Sequence, residues 1–251
     1  MKRLLTALLA AFLLTAGTAS AKPTVVFVHG AFADASGFAE VTNRLQDRGY
    51  TVLAPANPLR GLAGDAQYIA SAISGIDGPI VLVGHSYGGA VITEMGTDVP
   101  NVKALVYVNG DALAPGESTL DIAQRFPGGK LGPALRPRPS SAGVEFSIDP
   151  SRFRAVFAAD VPSRTAAAMA TSQRPVTQTA LEDEATAAAW KRLPTWYLIG
   201  TRDQAIPPAA QRYMARRARA RVVHIPASHA SYLSHPRQVT EIILRAARRA
   251  R

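Results

Sequence analysis

Eleven residues constrain this chain more than any others: Ile80-Val81-Leu82-Val83-Gly84-His85-Ser86-Tyr87-Gly88-Gly89-Ala90. An apolar run rich in β-branched residues enters a Gly-x-Ser-x-Gly turn at Gly84, Ser86 and Gly88, and Val91-Ile92-Thr93-Glu94-Met95 continues it as a helix. Flanked in this way, the turn reads as a nucleophile elbow, a sharp strand-to-helix bend that exposes a serine hydroxyl and needs small residues on either side of it. A nucleophile there needs a base, an acid and an oxyanion hole.

The rest of the chain repeats the same kind of unit. Thr24-Val25-Val26-Phe27-Val28 reads as a strand buried on both faces, followed by a helix from Ser36 to Arg48 with Phe38, Val41 and Leu45 at helical spacing and Gly49 as its stop. Tyr50 to Ala54 is the next strand, and Asp65 to Ser74 a helix with Ile69 and Ile73 on one face. Beyond the elbow, Val102 to Val108, Thr195 to Ile199 and Arg221 to Ile225 read as strands. A last helix begins near Ser234, read as its N-cap, and carries a core stripe of Val239, Ile242, Ile243 and Ala246. Alternating strands and helices predict an α/β fold: a mostly parallel sheet of about six strands, covered by helices on both faces. Between residues 112 and 189 the alternation stops, with no convincing strand, a turn-rich piece around Pro127 to Pro139 and alanine-rich segments at Arg152 to Ala159, Ser163 to Ser172 and Thr179 to Trp190. A structureless loop of that length is improbable in a compact domain. The expectation is a helical cap, 112–189, inserted in a core made of 22–111 and 190–251, with side chains such as Phe126, Phe153, Phe157 and Met169 lining a pocket.

The first 21 residues have their own character: Lys2-Arg3, an apolar run from Leu4 to Leu14, and Ala19-Ser20-Ala21. That is the pattern of a secretory signal peptide cleaved after Ala21, too short for a stable membrane span, and it predicts a secreted or periplasmic protein. No cysteine occurs, which removes disulfides, thiolate metal sites and a cysteine nucleophile together. The formal charge of +10 comes largely from arginines near the C-terminus, among them Arg212, Arg216, Arg217, Arg219, Arg221 and Arg245. They punctuate helices without interleaved aromatics, so they read as a solvated basic face and not as a nucleic-acid site.

A serine hydroxyl needs a neighbouring base, most often a histidine oriented by a carboxylate. Of the five histidines, His229 lies just past the last strand at the sheet edge where Ser86 also sits, and His235 is the alternative. His224 lies in mid-strand, while His29 and His85 belong to the first loop and to the elbow. For the acid, Asp203 and Asp111 both directly follow strands and both fit, with Asp203 giving the chain order serine, acid, histidine. An oxyanion hole needs two converging backbone N–H groups. Tyr87 supplies one, and Ala31, in the loop His29-Gly30-Ala31-Phe32, is the natural second. Phe32 is the candidate for contact with substrate.

Taken together, Phe27 to Phe32, Pro58-Leu59-Arg60-Gly61-Leu62, Val81 to Gly89, Gly200-Thr201-Arg202-Asp203 and Ser228-His229 resemble the α/β-hydrolase superfamily of serine hydrolases. Within it the chain is similar to the small esterase group that includes plant methyl esterases and hydroxynitrile lyases. The resemblance implies a triad of Ser86, Asp203 and His229, an oxyanion hole of Ala31 and Tyr87, a small-molecule ester as substrate, and no metal or organic cofactor. The lyases carry a threonine in the first loop and a lysine after the histidine; Gly30 and Ala230 stand there in this chain, which favours ester hydrolysis.

Overall fold

The computed structural model describes residues 22–250; the expected signal peptide, 1–21, lies outside them. The predicted strands are present as β1 (Thr24–Val28), β2 (Val52–Leu53), β3 (Ile80–His85) and β4 (Val102–Val108), with β8 (Thr195–Gly200) and β9 (Arg221–Ile225) after the insertion. They form one six-stranded sheet in the order β2-β1-β3-β4-β8-β9, every pair parallel. Strands with helices on both sides have no solvated face, which is why β1 and β3 are buried along their whole length and apolar but for Thr24 at the start of β1 and His85 at the end of β3. Helix α1 (Ala39–Gln46) packs with α10 (Pro236–Arg249), and α2 (Leu62–Ile73) with α3 (Tyr87–Met95), while α8 (Pro208–Arg217) lies against β8. In α10 the stripe Val239, Ile242, Ile243 and Ala246 is buried as its spacing predicts. From β1 the chain crosses to β2 on one side and returns to β3 on the other, so the strand order reverses between β1 and β3. The crevice at the carboxyl ends of such a pair is where open α/β sheets take ligands. Gly30 follows β1 there, and Ser86 follows β3. No described helix is long and apolar enough to cross a membrane.

Residues 112–189 differ from the sequence reading. They contain α4 (Thr119–Arg125), α5 (Pro150–Phe157), α6 (Ser163–Ser172) and α7 (Gln178–Glu182), but also three antiparallel strands in the order β5 (Leu135–Ser140), β6 (Gly143–Ile148), β7 (Val176–Thr177). Pro137 and Pro139 argue against a strand only where both edges are paired; β5 is an edge, and two prolines at alternate positions leave the intervening N–H groups free to bond β6. Arg138 faces Glu145 across the pair at 2.9 Å. The helix expected from Thr179 to Trp190 stops at Glu182 and resumes as a 3-10 turn at Ala189–Lys191. Ser234 is not an N-cap: it closes a short helix, α9 (Ser231–Ser234), and His235 precedes α10. The insertion is bonded to loops that follow four sheet strands, through Arg174 O to Phe32 N–H (2.9 Å), Leu59 O to Thr177 N–H (3.1 Å), Gln204 O to Lys130 N–H (2.7 Å) and Asp160 to Ser228 N–H (2.9 Å).

Candidate active site

Ser86 occupies the bend between β3 and α3 at φ 54°, ψ −130°, a backbone region that costs a non-glycine residue on the order of 1–3 kcal/mol. Close packing holds it there. A Cβ on Gly88 would fall 2.1 Å from the carbonyl oxygen of Val28, and one on Gly30 would fall 2.6 Å from Ser86 Cβ, so the elbow sits directly against the end of β1. Ser86 O accepts from Gly89 N–H (2.8 Å) and Asp111 N–H (3.0 Å). His85 and Tyr87 are buried while Ser86 is half-buried, and its hydroxyl bonds to no protein group among the described residues. The Tyr87 hydroxyl donates to Asp65 Oδ2 at 2.8 Å, which pins the first turn of α3. Neither Ala31 N–H nor Tyr87 N–H donates to a protein acceptor among the described residues.

His229 is buried, and its Nδ1 lies 2.7 Å from Asp203 Oδ2. Five donors converge on Asp203: the N–H groups of Ala205 (2.8 Å) and Ile206 (3.0 Å) on Oδ1, and Asn109 Nδ2 (2.9 Å), Gln211 Nε2 (2.8 Å) and His229 Nδ1 on Oδ2. Such a set fits a carboxylate, which only accepts, and assigns the imidazole proton to Nδ1. Nε2 is then the free base. His85 ties this pair to the elbow: its Nε2–H donates to His229 O at 3.0 Å and the two rings lie 4.6 Å apart. No hydrogen bond joins Ser86 to His229 among the described residues, as is common before substrate tightens such a site.

The other candidates fall elsewhere. Asp111 is buried and accepts from Thr119 Oγ1 at 3.3 Å, with no bond to His229. His29 accepts from Asn57 N–H on Nε2 (2.9 Å) and meets Gly30 O through Nδ1 (2.9 Å); burial holds it below the usual imidazole range, and it braces the first loop. His85 is held well below that range by burial and by His229, so it adds no charge beside the His229 ring. His224 is exposed on β9, and His235 lies 3.7 Å from Asp160. Phe32, at φ 63°, is buried and shares a pocket of only about 40 Å³ with Met169 and Tyr232. Phe157 sets its ring edge-on to His229 at 4.8 Å, and Phe153 stacks behind it at 5.1 Å. Phe126 helps line an apolar cavity of about 410 Å³ between α4, Leu131, Leu135, Leu181 and Ala205. A larger groove, about 670 Å³, lies at the opposite end of β8 and β9 among Lys191, Arg217, Arg219 and Arg221, away from Ser86. Arg217 there is not simply solvated: it bonds Glu117 at 2.6 Å and lies over the Trp190 and Tyr213 rings.

Sequence reasoning missed Asn109, Gln211 and Ser231. Asn109 stands at φ 47° after β4, donating to Asp203 and accepting from Ser231 Oγ at 2.6 Å. An Asn-Gly pair after a strand is the one available signal, because asparagine tolerates that conformation. Gln211 lies among arginines on α8 and carries none.

Burial pushes the Asp111 carboxyl up to about 7, against the opposing pull of His229 and Thr119. The folded chain therefore keeps a proton that the unfolded chain releases near pH 4. The contribution to stability is full below pH 4 and declines as pH rises to about 7, levelling beyond it. Asp111→Asn is expected to flatten that slope and to stabilise the protein at pH 8 by on the order of a few kcal/mol, read from urea melts between pH 4 and 8. An unchanged slope would mean that Asp111 is ionised throughout.

Residues 25–242 match the sequence model of the alpha/beta hydrolase family. The chain is 30% identical over 254 residues to the alpha/beta hydrolase nvfD of Aspergillus novofumigatus, covering 90% of this chain and 97% of that one. It is 28% identical over 246 residues to a pyrethroid hydrolase of Sphingobium wenxiniae, covering 87% of this chain and 85% of the relative. The crystal structure of a pyrethroid hydrolase from Sphingobium faniae superposes with a TM-score of 0.74 at 25% identity, over 90% of this chain and 97% of that one.

Proposed function

The chain belongs to the alpha/beta hydrolase family, and from that membership we propose that it is an exported carboxylic-ester hydrolase working through Ser86, His229 and Asp203. The observation that carries the proposal is the buried His229–Asp203 pair, 2.7 Å apart, held against the elbow by His85. In the proposed reaction His229 Nε2 takes the Ser86 proton as Oγ attacks the ester carbonyl. The oxyanion forms against the N–H groups of Ala31 and Tyr87. Collapse breaks the ester C–O bond, and the imidazolium gives its proton to the leaving alcohol. Water, deprotonated by the same nitrogen, then attacks the acyl-enzyme and releases the acid and Ser86. Asp203 holds the imidazole tautomer throughout. A fluorophosphonate should label the folded protein at Ser86, seen as a mass increase on the peptide that contains it; an unlabelled protein would remove the proposal. Export rests on residues 1–21, and N-terminal sequencing of the secreted protein should begin at Lys22.

The apolar cavity beside Ala205 suits the bulky hydrocarbon part of a substrate, and its volume of about 410 Å³ is that of a small-molecule site. Ala205 N–H bonds Asp203, which sets the cavity next to the proposed acid. Among p-nitrophenyl esters, kcat/KM should rise by up to about fourfold per added methylene, the value of burying roughly 0.8 kcal/mol, until the cavity is filled. Ala123→Trp, on its α4 wall, should erase that rise and leave acetate hydrolysis unchanged. A flat series in the parent protein would place the hydrocarbon elsewhere.

A further inference from the structure

We propose that Asp160 is a positioning residue for His229, acting from the turn between α5 and α6. The inference rests on the reading of His229 as general base. Strand β9 ends at Ile225, so the sheet ladder no longer supports the chain where it reaches His229. The insertion supplies the support instead. Ser228, immediately before His229, gives both its donors to one carboxylate: the N–H to Asp160 Oδ2 at 2.9 Å and the hydroxyl to Asp160 Oδ1. Ala230, immediately after, donates its N–H to Phe157 O at 2.9 Å. The Phe157 ring also bears on the imidazole. The residues on both sides of His229 are thus bound by one turn of a segment far from it in sequence.

Hydrogen bonds to a carboxylate are about twice as strong as neutral ones, and two on one residue fix its orientation as well as its place. With the Nδ1 end held by Asp203, the direction of Nε2 depends on the His229 backbone, which His85 holds at the carbonyl and Asp160 and Phe157 hold through the two flanking residues. A misplacement of about 1 Å in such a group costs on the order of a hundredfold in rate. Asp160 shares no hydrogen bond with Asp203, and its reach toward His229 is through Ser228. His235 Nδ1 also lies 3.7 Å from Asp160 Oδ2.

The test pairs turnover with a signal that needs no substrate, the proton NMR resonance of the His229 Nδ1–H shared with Asp203. Asp160→Ala should lower kcat about 10- to 100-fold with KM nearly unchanged, and should shift or broaden that resonance. Asp160→Asn should restore most of both, since its Oδ1 can accept the Ser228 N–H while its amide donates to the hydroxyl. Ser228→Ala, which removes only the hydroxyl contact, should give a several-fold loss, and adding it to Asp160→Ala should cost nothing further. If Asp160→Ala does not fold, Ser228→Ala reads the same two signals. Wild-type kcat and an unmoved Nδ1–H resonance, with only the melting temperature lowered, would overturn the proposal. A folded parent that hydrolyses no ester and resists fluorophosphonate would end the esterase reading, while the resonance would still decide the role of Asp160.

Discussion

Replacing Ser86 by alanine is expected to cut ester turnover by about a million-fold in kcat, to the residual rate that binding and oxyanion stabilisation alone sustain. Stability should barely move. The hydroxyl forms no hydrogen bond among the described residues, and alanine carries the same Cβ into the same φ of 54°, so neither a lost contact nor new backbone strain arises. Surface-like changes of this kind stay within about 0.5 kcal/mol. Turnover, fluorophosphonate labelling and a thermal melt on one preparation check the three expectations. Turnover above about one per cent of the parent would mean that another nucleophile does the work, and a collapsed melt would mean that the elbow had been misread as a catalytic device.

The elbow was legible because several constraints coincide there in a short window. A buried parallel strand must be apolar throughout, a strained bend must be flanked by small residues, and both leave marks in the sequence at Ile80 to Gly88. The same holds for β1 and the loop at Gly30, where a side chain would strike Ser86. Position alone did not separate Asp203 from Asp111, since each follows a strand at the same sheet edge; only chain order favoured Asp203. What holds the Asp203 carboxylate beside His229 is a set of side chains from other elements, Asn109 after β4 and Gln211 on α8, which no local pattern displays. The strands of the insertion were hidden for a different reason. Their stabilising partners lie across an edge that tolerates proline, so Pro137 and Pro139 look like breaks when they only mark which side faces solvent. Asp160 leaves no local mark at all; its meaning comes from meeting Ser228 across 68 positions of chain.

Asp203→Asn and Asp111→Asn separate the two carboxylates by their hydrogen-bond arithmetic. Asp203 receives two donors on Oδ1 and three on Oδ2, so an amide placed there sets its NH2 against N–H groups whichever way it turns. Turned toward Ala205 and Ile206, it leaves two buried N–H groups without an acceptor. Turned toward His229, it donates to Nδ1, drives the imidazole proton onto Nε2 and so blocks the nitrogen that must take the Ser86 proton. The expected loss is on the order of 10⁴ in kcat for the wrong tautomer, with roughly 1–3 kcal/mol of stability for each buried donor left unmatched. Asp111 receives one side-chain donor, from Thr119 at 3.3 Å, and an amide oxygen can accept it. Its replacement should leave kcat within about threefold, because nothing that orients His229 changes. Measured side by side at pH 8, kcat should fall steeply only for Asp203→Asn. The reverse order would transfer the acid to the end of β4 and leave the Asp203 cluster as a brace for the loop after β8.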